Sequence, residues 1–120
     1  MKILTILNEQ ANLTKLLELK LPVKVAYRLN KLSNKFDTEI KFYNDKRNEL
    51  VKELGEKKLD EEGKETEQIE VKKENLVEYY KQINEMVEIE TEVNYEPISI
   101  SELGDMVIEP KLLSETFFKE

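Results

Sequence analysis

Residues 23–54 read VKVAYRLNKLSNKFDTEIKFYNDKRNELVKEL, and this stretch decides the fold. Its mostly apolar stripe recurs at steps of three and four residues, the period of a straight α-helix. The stripe consists of Val25, Leu29, Leu32, Phe36, Ile40, Tyr43, Arg47, Leu50 and Leu54. Pro22 favours a corner before a helix, and Gly55 favours a left-handed cap after one. The sequence therefore predicts one uninterrupted helix over residues 22–54, about 50 Å long at about 1.5 Å per residue.

A helix of that length exceeds the usual globular length and needs a partner along its apolar stripe. A second stripe of helical period consists of Leu76, Tyr80, Ile83 and Val87. It predicts a helix over residues 72–87 that folds back on the long helix as a hairpin. Helical spacing of leucines also predicts an N-terminal helix within residues 1–21. Residues 55–71 are nearly all charged and are predicted to be a charged, exposed loop or a loose hairpin, turning at Asp60–Gly63.

The C-terminal third, residues 88–120, changes period. From Val87 to Tyr95, apolar residues or threonine alternate with glutamate or asparagine, which predicts a strand with one apolar and one acidic face. The strand's partner is expected within the chain, and pairing with another chain remains open. Pro110 predicts a short C-terminal helix. The expected fold class is mainly α (α+β), a single domain of 120 residues with a small antiparallel β element in the C-terminal third.

Three residue types are absent: the chain has no cysteine, histidine or tryptophan, and it has only three glycines. This composition excludes disulfides, thiolate nucleophiles, zinc sites of the Cys/His type and histidine-based catalytic triads. The scattered glycines cannot form a phosphate-binding loop. The sequence therefore predicts no enzyme, no catalytic or metal-ligating residue and no cofactor. No apolar run approaches the length of a membrane span, so no membrane partner is expected.

Charge is unevenly distributed along the chain. The net charge is −7, but residues 1–52 carry eleven basic and six acidic groups, whereas residues 53–120 carry eight basic and twenty acidic groups. Such a polar molecule pairs its own halves, associates with copies of itself, or binds a protein partner. The overall acidity argues against nucleic acid as the default partner.

The long helix carries a basic stripe consisting of Lys24, Arg28, Lys31 and Lys35, with Lys20 just before it. Their spacing places at least the last four on one helical face, which could follow the phosphates of a nucleic acid. The alternative is structural: long cationic stems border the apolar stripe and reach water, or pair with the acidic half of the chain.

Three further groups are candidate interaction residues. The acidic ladder Glu88, Glu90, Glu92 and Glu96 would form a solvated face, with mimicry of DNA phosphates or Mg²⁺ binding as alternatives. Arg47 interrupts the apolar stripe, which implies a carboxylate partner from the second helix or another chain. Phe117 and Phe118 are expected in the core, and one of them becomes an interface anchor if both cannot be buried.

Several ordered blocks along the chain resemble a known family. They are residues 19–24, 27–29, 42–51, 60–64, 83–86, 98–103 and 108–113. The chain resembles small proteins of unknown function encoded by tailed phages and prophages of low-GC Gram-positive bacteria, including clostridia. The resemblance implies a phage protein in the cytoplasm of an infected bacterial host, and it carries no catalytic residue to this sequence.

These observations together predict a non-enzymatic interaction protein. It would inhibit a host protein or assist assembly through surface complementarity, and the unpartnered long helix also suggests an oligomer. The alternative is a nucleic-acid-binding protein that uses the basic face of the long helix.

Overall fold

The computed structural model describes residues 1–120. Its helices are α1 (Ile3–Leu17), α2 (Val23–Leu54) and α3 (Leu76–Val87), and its strands are β1 (Gly55–Leu59), β2 (Glu65–Val71), β3 (Ile98–Ser99) and β4 (Phe118–Lys119). β1 and β2 pair antiparallel, and β3 and β4 pair parallel over two residues. The predicted class, mainly α with a small antiparallel sheet, is confirmed.

The long helix is uninterrupted, as its period predicts. α2 starts directly after Pro22 and ends directly before Gly55. The backbone N–H of Ala26 donates to the Pro22 carbonyl at 2.9 Å, which closes the first turn. Proline suits this position because the first turn of a helix leaves its N–H groups without helical acceptors.

The chain forms two compact units. Unit 1 contains residues 1–40 and 90–120, and unit 2 contains residues 41–89. Unit 1 has an extensive apolar core to which α1, the start of α2 and the C-terminal segment all contribute; its most deeply buried side chains include Ile6, Leu16, Leu29, Phe36, Ile98 and Phe117. In unit 2, Leu50 and Met86 are the only buried large apolar side chains. The sequence predicts a single domain without this division.

Of the two forms predicted for residues 55–71, the charged loop is wrong and the hairpin is confirmed, because the segment forms the antiparallel β1–β2 pair. The predicted turn is confirmed within it. Asp60 Oδ1 accepts hydrogen bonds from the backbone N–H groups of Glu62 and Lys64, both at 2.9 Å, and Gly63 takes a positive φ of 81°. A short aspartate side chain and a left-handed glycine therefore fix the turn of a hairpin whose strands are mostly exposed.

Gly55 is not the left-handed helix cap that the sequence predicts, since only Gly63 and Gly104 have positive φ. Instead, Gly55 begins β1. The last helical carbonyl, that of Leu54, accepts from the backbone N–H of Lys72 at 3.1 Å and from the Asn75 side-chain amide at 3.0 Å. Groups that follow β2 thus satisfy the helix end in place of a glycine cap.

The predicted strand over residues 88–96 is wrong; only Glu90 forms an isolated bridge, with Lys2. The alternation does report burial, because Val93 is buried and Tyr95 is half-buried. However, the Thr91 hydroxyl donates to the Met1 carbonyl at 2.6 Å and accepts from the Val93 N–H at 3.1 Å. This side chain replaces ladder hydrogen bonds, so the segment is extended without being part of a sheet.

The predicted short C-terminal helix is reduced to a single 3₁₀ turn over Pro110–Leu112, with the proline in its first turn. The chain then continues to β4, where the carbonyl of Phe117 accepts from the N–H of Ile98 at 2.8 Å. No helix of the fold combines the length and the apolar character that a bilayer crossing requires.

Candidate functional site

The basic stripe is divided in two by the structure. Arg28 is half-buried and is engaged by residues of unit 1. Its Nη2 donates to the carbonyl oxygen of Glu96 at 2.5 Å, its Nη1 lies 3.9 Å from a carboxylate oxygen of Glu102, and its guanidinium stacks 5.6 Å from the ring centroid of Tyr95. Arg28 therefore holds the 95–102 segment against α2, which is the structural alternative of the sequence analysis.

The other stripe residues, Lys24, Lys31 and Lys35, are exposed. The ammonium of Lys31 lies 5.2 Å above the ring of Tyr27, and Lys35 borders a shallow cleft beside Glu92. A row of exposed lysines thus remains on α2, but its arginine is occupied within the chain.

Replacing Arg28 with alanine is expected to lower the free energy of unfolding by about 1–2 kcal/mol, because the Glu96 carbonyl loses its charged donor. Urea denaturation measures this loss, and hydrogen exchange should show it as faster exchange in residues 95–102. The matched control is Lys24→Ala, which removes an exposed cation and is expected to stay within about 0.5 kcal/mol. Equal effects of the two changes would contradict the assigned role.

The acidic residues do not form the predicted row along one face of a strand, because their segment is not a β-strand. Glu88 belongs to unit 2 and the other three glutamates to unit 1. A carboxylate oxygen of Glu90 lies 3.8 Å from the amino terminus, and that of Glu96 lies 3.3 Å from the ammonium of Lys119. No group of three or more acidic side chains in the chain is arranged to hold a metal ion.

Of the remaining interaction candidates, Arg47 is exposed, whereas Phe117 and Phe118 lie in the core, as the sequence predicts. Arg47 is exposed, and its guanidinium lies 5.9 Å from the ring centroid of Tyr43 on the same helix. The expectation that Arg47 occupies a core position on the apolar stripe is wrong, because its side chain is exposed. Phe117 and Phe118 are both buried in unit 1, so the condition for an interface anchor is not met.

Tyr95 is a half-buried phenol whose pKa is shifted by its surroundings. Burial raises the pKa of Tyr95 to about 12; the positive charge of Arg28 lowers it and the negative charge of Glu102 adds to the rise. The neutral phenol donates a hydrogen bond to the Phe117 carbonyl at 3.3 Å, and its ring packs edge-on against the Phe117 ring at 6.4 Å. The phenolate could not make that donation.

Because the pKa of Tyr95 is raised in the folded chain, we expect deprotonation of this residue to destabilise the fold at alkaline pH. The unfolded chain releases the Tyr95 proton near pH 10, and the folded chain holds it until about pH 12. The stabilisation is therefore complete below pH 10 and is lost as the pH rises toward 12. Between about pH 9 and pH 11.5, we expect wild type to lose about 1–2 kcal/mol more than Tyr95→Phe, as measured by urea unfolding. Parallel losses in the two proteins would disprove this.

Sequence reasoning missed a groove within unit 2. It lies between the second half of α2 and α3, has a volume of about 350 Å³ and opens to solvent. We call it the α2–α3 groove, and its lining residues are Phe42, Lys46, Leu50, Gln82, Glu85, Met86 and Ile89. Leu50 and Met86 form its buried floor, whereas Phe42 and Ile89 remain exposed at its sides. The sequence signal for this groove is that Phe42 and Ile89 are large apolar residues outside the two helical stripes.

The groove offers apolar contact without reactive chemistry. Its polar groups are a lysine, a glutamine and a glutamate, and the Lys46 ammonium already lies 3.3 Å from the Glu49 carboxylate. Such an arrangement can receive apolar side chains and orient them by a few polar contacts at the rim. Comparison of the chain with protein-family models, curated proteins and solved structures gives no match.

Proposed function

We propose that this protein is non-enzymatic and acts through protein–protein interaction, with the α2–α3 groove receiving apolar side chains of a partner protein. The observation that carries the proposal is the imbalance of unit 2. Its 49 residues, from Lys41 to Ile89, bury two large apolar side chains and leave six exposed. The exposed set is Phe42, Leu59, Ile69, Val77, Tyr80 and Ile89. A unit of this size with so small a core gains stability from a bound partner.

The arrangement of apolar and polar residues in the groove also resembles that of a protein-binding site. Aromatic and large aliphatic side chains at the centre of an interface, with polar groups at its rim, supply most of the binding energy in protein complexes. Phe42 and Ile89 would be the central residues, and Lys46 and Glu85 the rim. The partner segment would insert one or two apolar side chains over the Met86 floor.

The resemblance to phage and prophage proteins supports a setting for this interaction. In that setting the protein works in the cytoplasm of an infected low-GC Gram-positive host, where it inhibits a host protein or assists assembly. The alternative function, nucleic-acid binding through the basic face of α2, is less favoured because Arg28 is engaged with the Glu96 carbonyl. A gel-shift at low salt should show no retarded nucleic acid; salt-sensitive retardation would instead support the alternative.

The test is affinity capture from a clostridial lysate with three baits. Wild type is expected to retain a specific protein, and Phe42→Ser with Ile89→Ser is expected to lose it. Both side chains are half exposed, so this double variant should fold. The matched control is Val107→Ser, which removes an almost fully exposed apolar side chain of unit 1.

The captured protein is then purified, and its binding to the three baits is measured directly. Binding that survives the groove substitutions, or that the Val107 control abolishes equally, would refute the groove as the docking site. Failure of wild type to retain any protein above the level of the groove variant would refute the proposal as well.

A further inference from the structure

One exposed surface of unit 1 combines apolar and basic groups. It lies at the start of α2, where Val23 is 85% exposed and Tyr27 is 61% exposed. Lys20, Lys24 and Lys31 are exposed and lie within four residues of one of these side chains along the chain, and the Lys31 ammonium lies 5.2 Å from the centroid of the Tyr27 ring. We call these five residues the α2 patch. It carries three positive charges and no acidic member.

A surface of unit 2 has the same apolar pair with the opposite charge. On the outer side of α3, Val77 is 84% exposed and Tyr80 is 58% exposed. They line an open depression whose remaining members are Lys81, Asn84, Glu85 and Glu88. We call these six residues the α3 patch. Edge-on packing of the Tyr80 ring against Tyr79, with centroids 5.4 Å apart, restrains the aromatic side chain at the surface.

We propose that the α2 patch of one copy of this chain binds the α3 patch of a second copy. Each patch supplies a valine and a tyrosine three or four residues apart on a helix, so the two apolar pairs would cover each other. The three lysines of the α2 patch would then face the carboxylates of Glu85 and Glu88. This self-association rests on the proposed function and extends it, because it assumes that the chain acts through protein surfaces. The two patches do not include the apolar residues of the α2–α3 groove.

The charges favour this contact over contacts between identical patches. A contact between two α2 patches would bring six lysines together. A contact between two α3 patches would bring together four glutamates and two lysines, which leaves a net negative charge. Like charges across an interface disfavour association, whereas complementary charges favour it and set the orientation. The contact between unlike patches can close as a symmetric pair or ring, or extend as a chain, and each form uses the same residues.

The contact should be weak and sensitive to salt. Two or three helical turns on each side bury less than a standard interface, so we expect a transient association. The charge pairs lie at the surface, so the association should weaken as the Debye length falls from about 10 Å at about 0.1 M salt to about 3 Å at about 1 M.

Sedimentation velocity over a concentration series measures self-association. Variants that reverse the charge of one patch at a time test which residues form the contact. Wild type is expected to gain mass with concentration at low salt. Lys24→Glu with Lys31→Glu should remain monomeric, and so should Glu85→Lys with Glu88→Lys. An equal mixture of these two variants should associate again, because each reversed patch then meets a patch of opposite charge.

Matched controls change the net charge equally outside both patches. They are Lys41→Glu with Lys58→Glu, and Glu61→Lys with Glu62→Lys, all at exposed positions. Both controls should associate like wild type, and circular dichroism should show every variant helical. If a charge-reversed variant does not fold, Lys24→Gln with Lys31→Gln and Glu85→Gln with Glu88→Gln take its place, and each should weaken association at least threefold.

Three results would overturn the proposal. They are a wild type that stays monomeric up to millimolar concentration, variants that associate unchanged, and a mixture of reversed variants that stays monomeric. The groove variant Phe42→Ser with Ile89→Ser should self-associate normally, since neither residue belongs to a patch. Failure of self-association is therefore distinguishable from failure of lysate capture.

Discussion

Replacing Phe117 with alanine is expected to lower the free energy of unfolding by about 3–5 kcal/mol. Phe117 is completely buried, and its ring lies 6.3 Å from the ring of Phe36 and 6.4 Å from that of Tyr95. The cavity would open where α2 meets the C-terminal segment, and neighbouring rings could fill only part of it. Urea denaturation followed by circular dichroism measures the loss.

The matched control is the same substitution at an exposed phenylalanine. Phe42→Ala is expected to cost less than about 1 kcal/mol, because its ring is already half in water. A small effect at Phe117 together with a large one at Phe42 would reverse the assignment of core and surface. It would also revive Phe117 as the interface anchor of the sequence hypothesis.

Replacing Gly55 with alanine is expected to lower the free energy of unfolding by about 2–3 kcal/mol. A Cβ at this position would overlap the carbonyl oxygen of Val51, and it would lie 2.6 Å from the carbonyl oxygen of Glu70 and 2.8 Å from Cγ2 of Ile69. Two of these three neighbours are backbone atoms, so the start of β1 would have to move away from α2 or β2. Hydrogen exchange across residues 55–71 should show the hairpin opening.

Gly63→Asn is the control for this prediction. Gly63 has a φ of 81°, and a Cβ added there would have open space around it, with no atom within 4 Å. Asparagine tolerates the left-handed region, so we expect a change below about 1 kcal/mol. If Gly55→Ala is as mild as Gly63→Asn, the close approach of the strands at Gly55 is wrong.

The helices were predictable because their signals are local. The period of three and four residues, together with Pro22 and Gly55, places both ends of α2 as the structure has them. The period and Pro22 are local signals, whereas the groups that satisfy the C-terminal end of α2, Lys72 and Asn75, are distant in sequence and could not be predicted. The same period locates α3, although its first predicted turn is 3₁₀.

The strands were not predictable because alternation reports burial and not hydrogen bonding. Residues 87–96 alternate since Val93 and Tyr95 pack on unit 1, yet Thr91 and the amino terminus take the backbone hydrogen bonds. The β1–β2 hairpin shows the reverse case, in which a sheet forms without an alternating pattern in the sequence. Both of its faces are largely exposed, so it has ladder hydrogen bonds without an apolar alternation.

The candidate site was only partly predictable for a related reason. The sequence identifies charged groups such as Arg28 and Glu96, but only the fold shows that they contact each other. The α2–α3 groove depends on which apolar side chains stay uncovered. Phe42 and Ile89 lie outside the helical stripes, and their exposure is set by the small core of unit 2.

The central claim is that the α2–α3 groove binds a protein partner, and competition tests it most directly. Labelled partner captured on immobilised wild type is titrated with free competitors. The account predicts that free wild type and Val107→Ser displace the partner equally, whereas Phe42→Ser with Ile89→Ser displaces it at least tenfold less well while remaining folded. Equal displacement by the groove variant would contradict the claim.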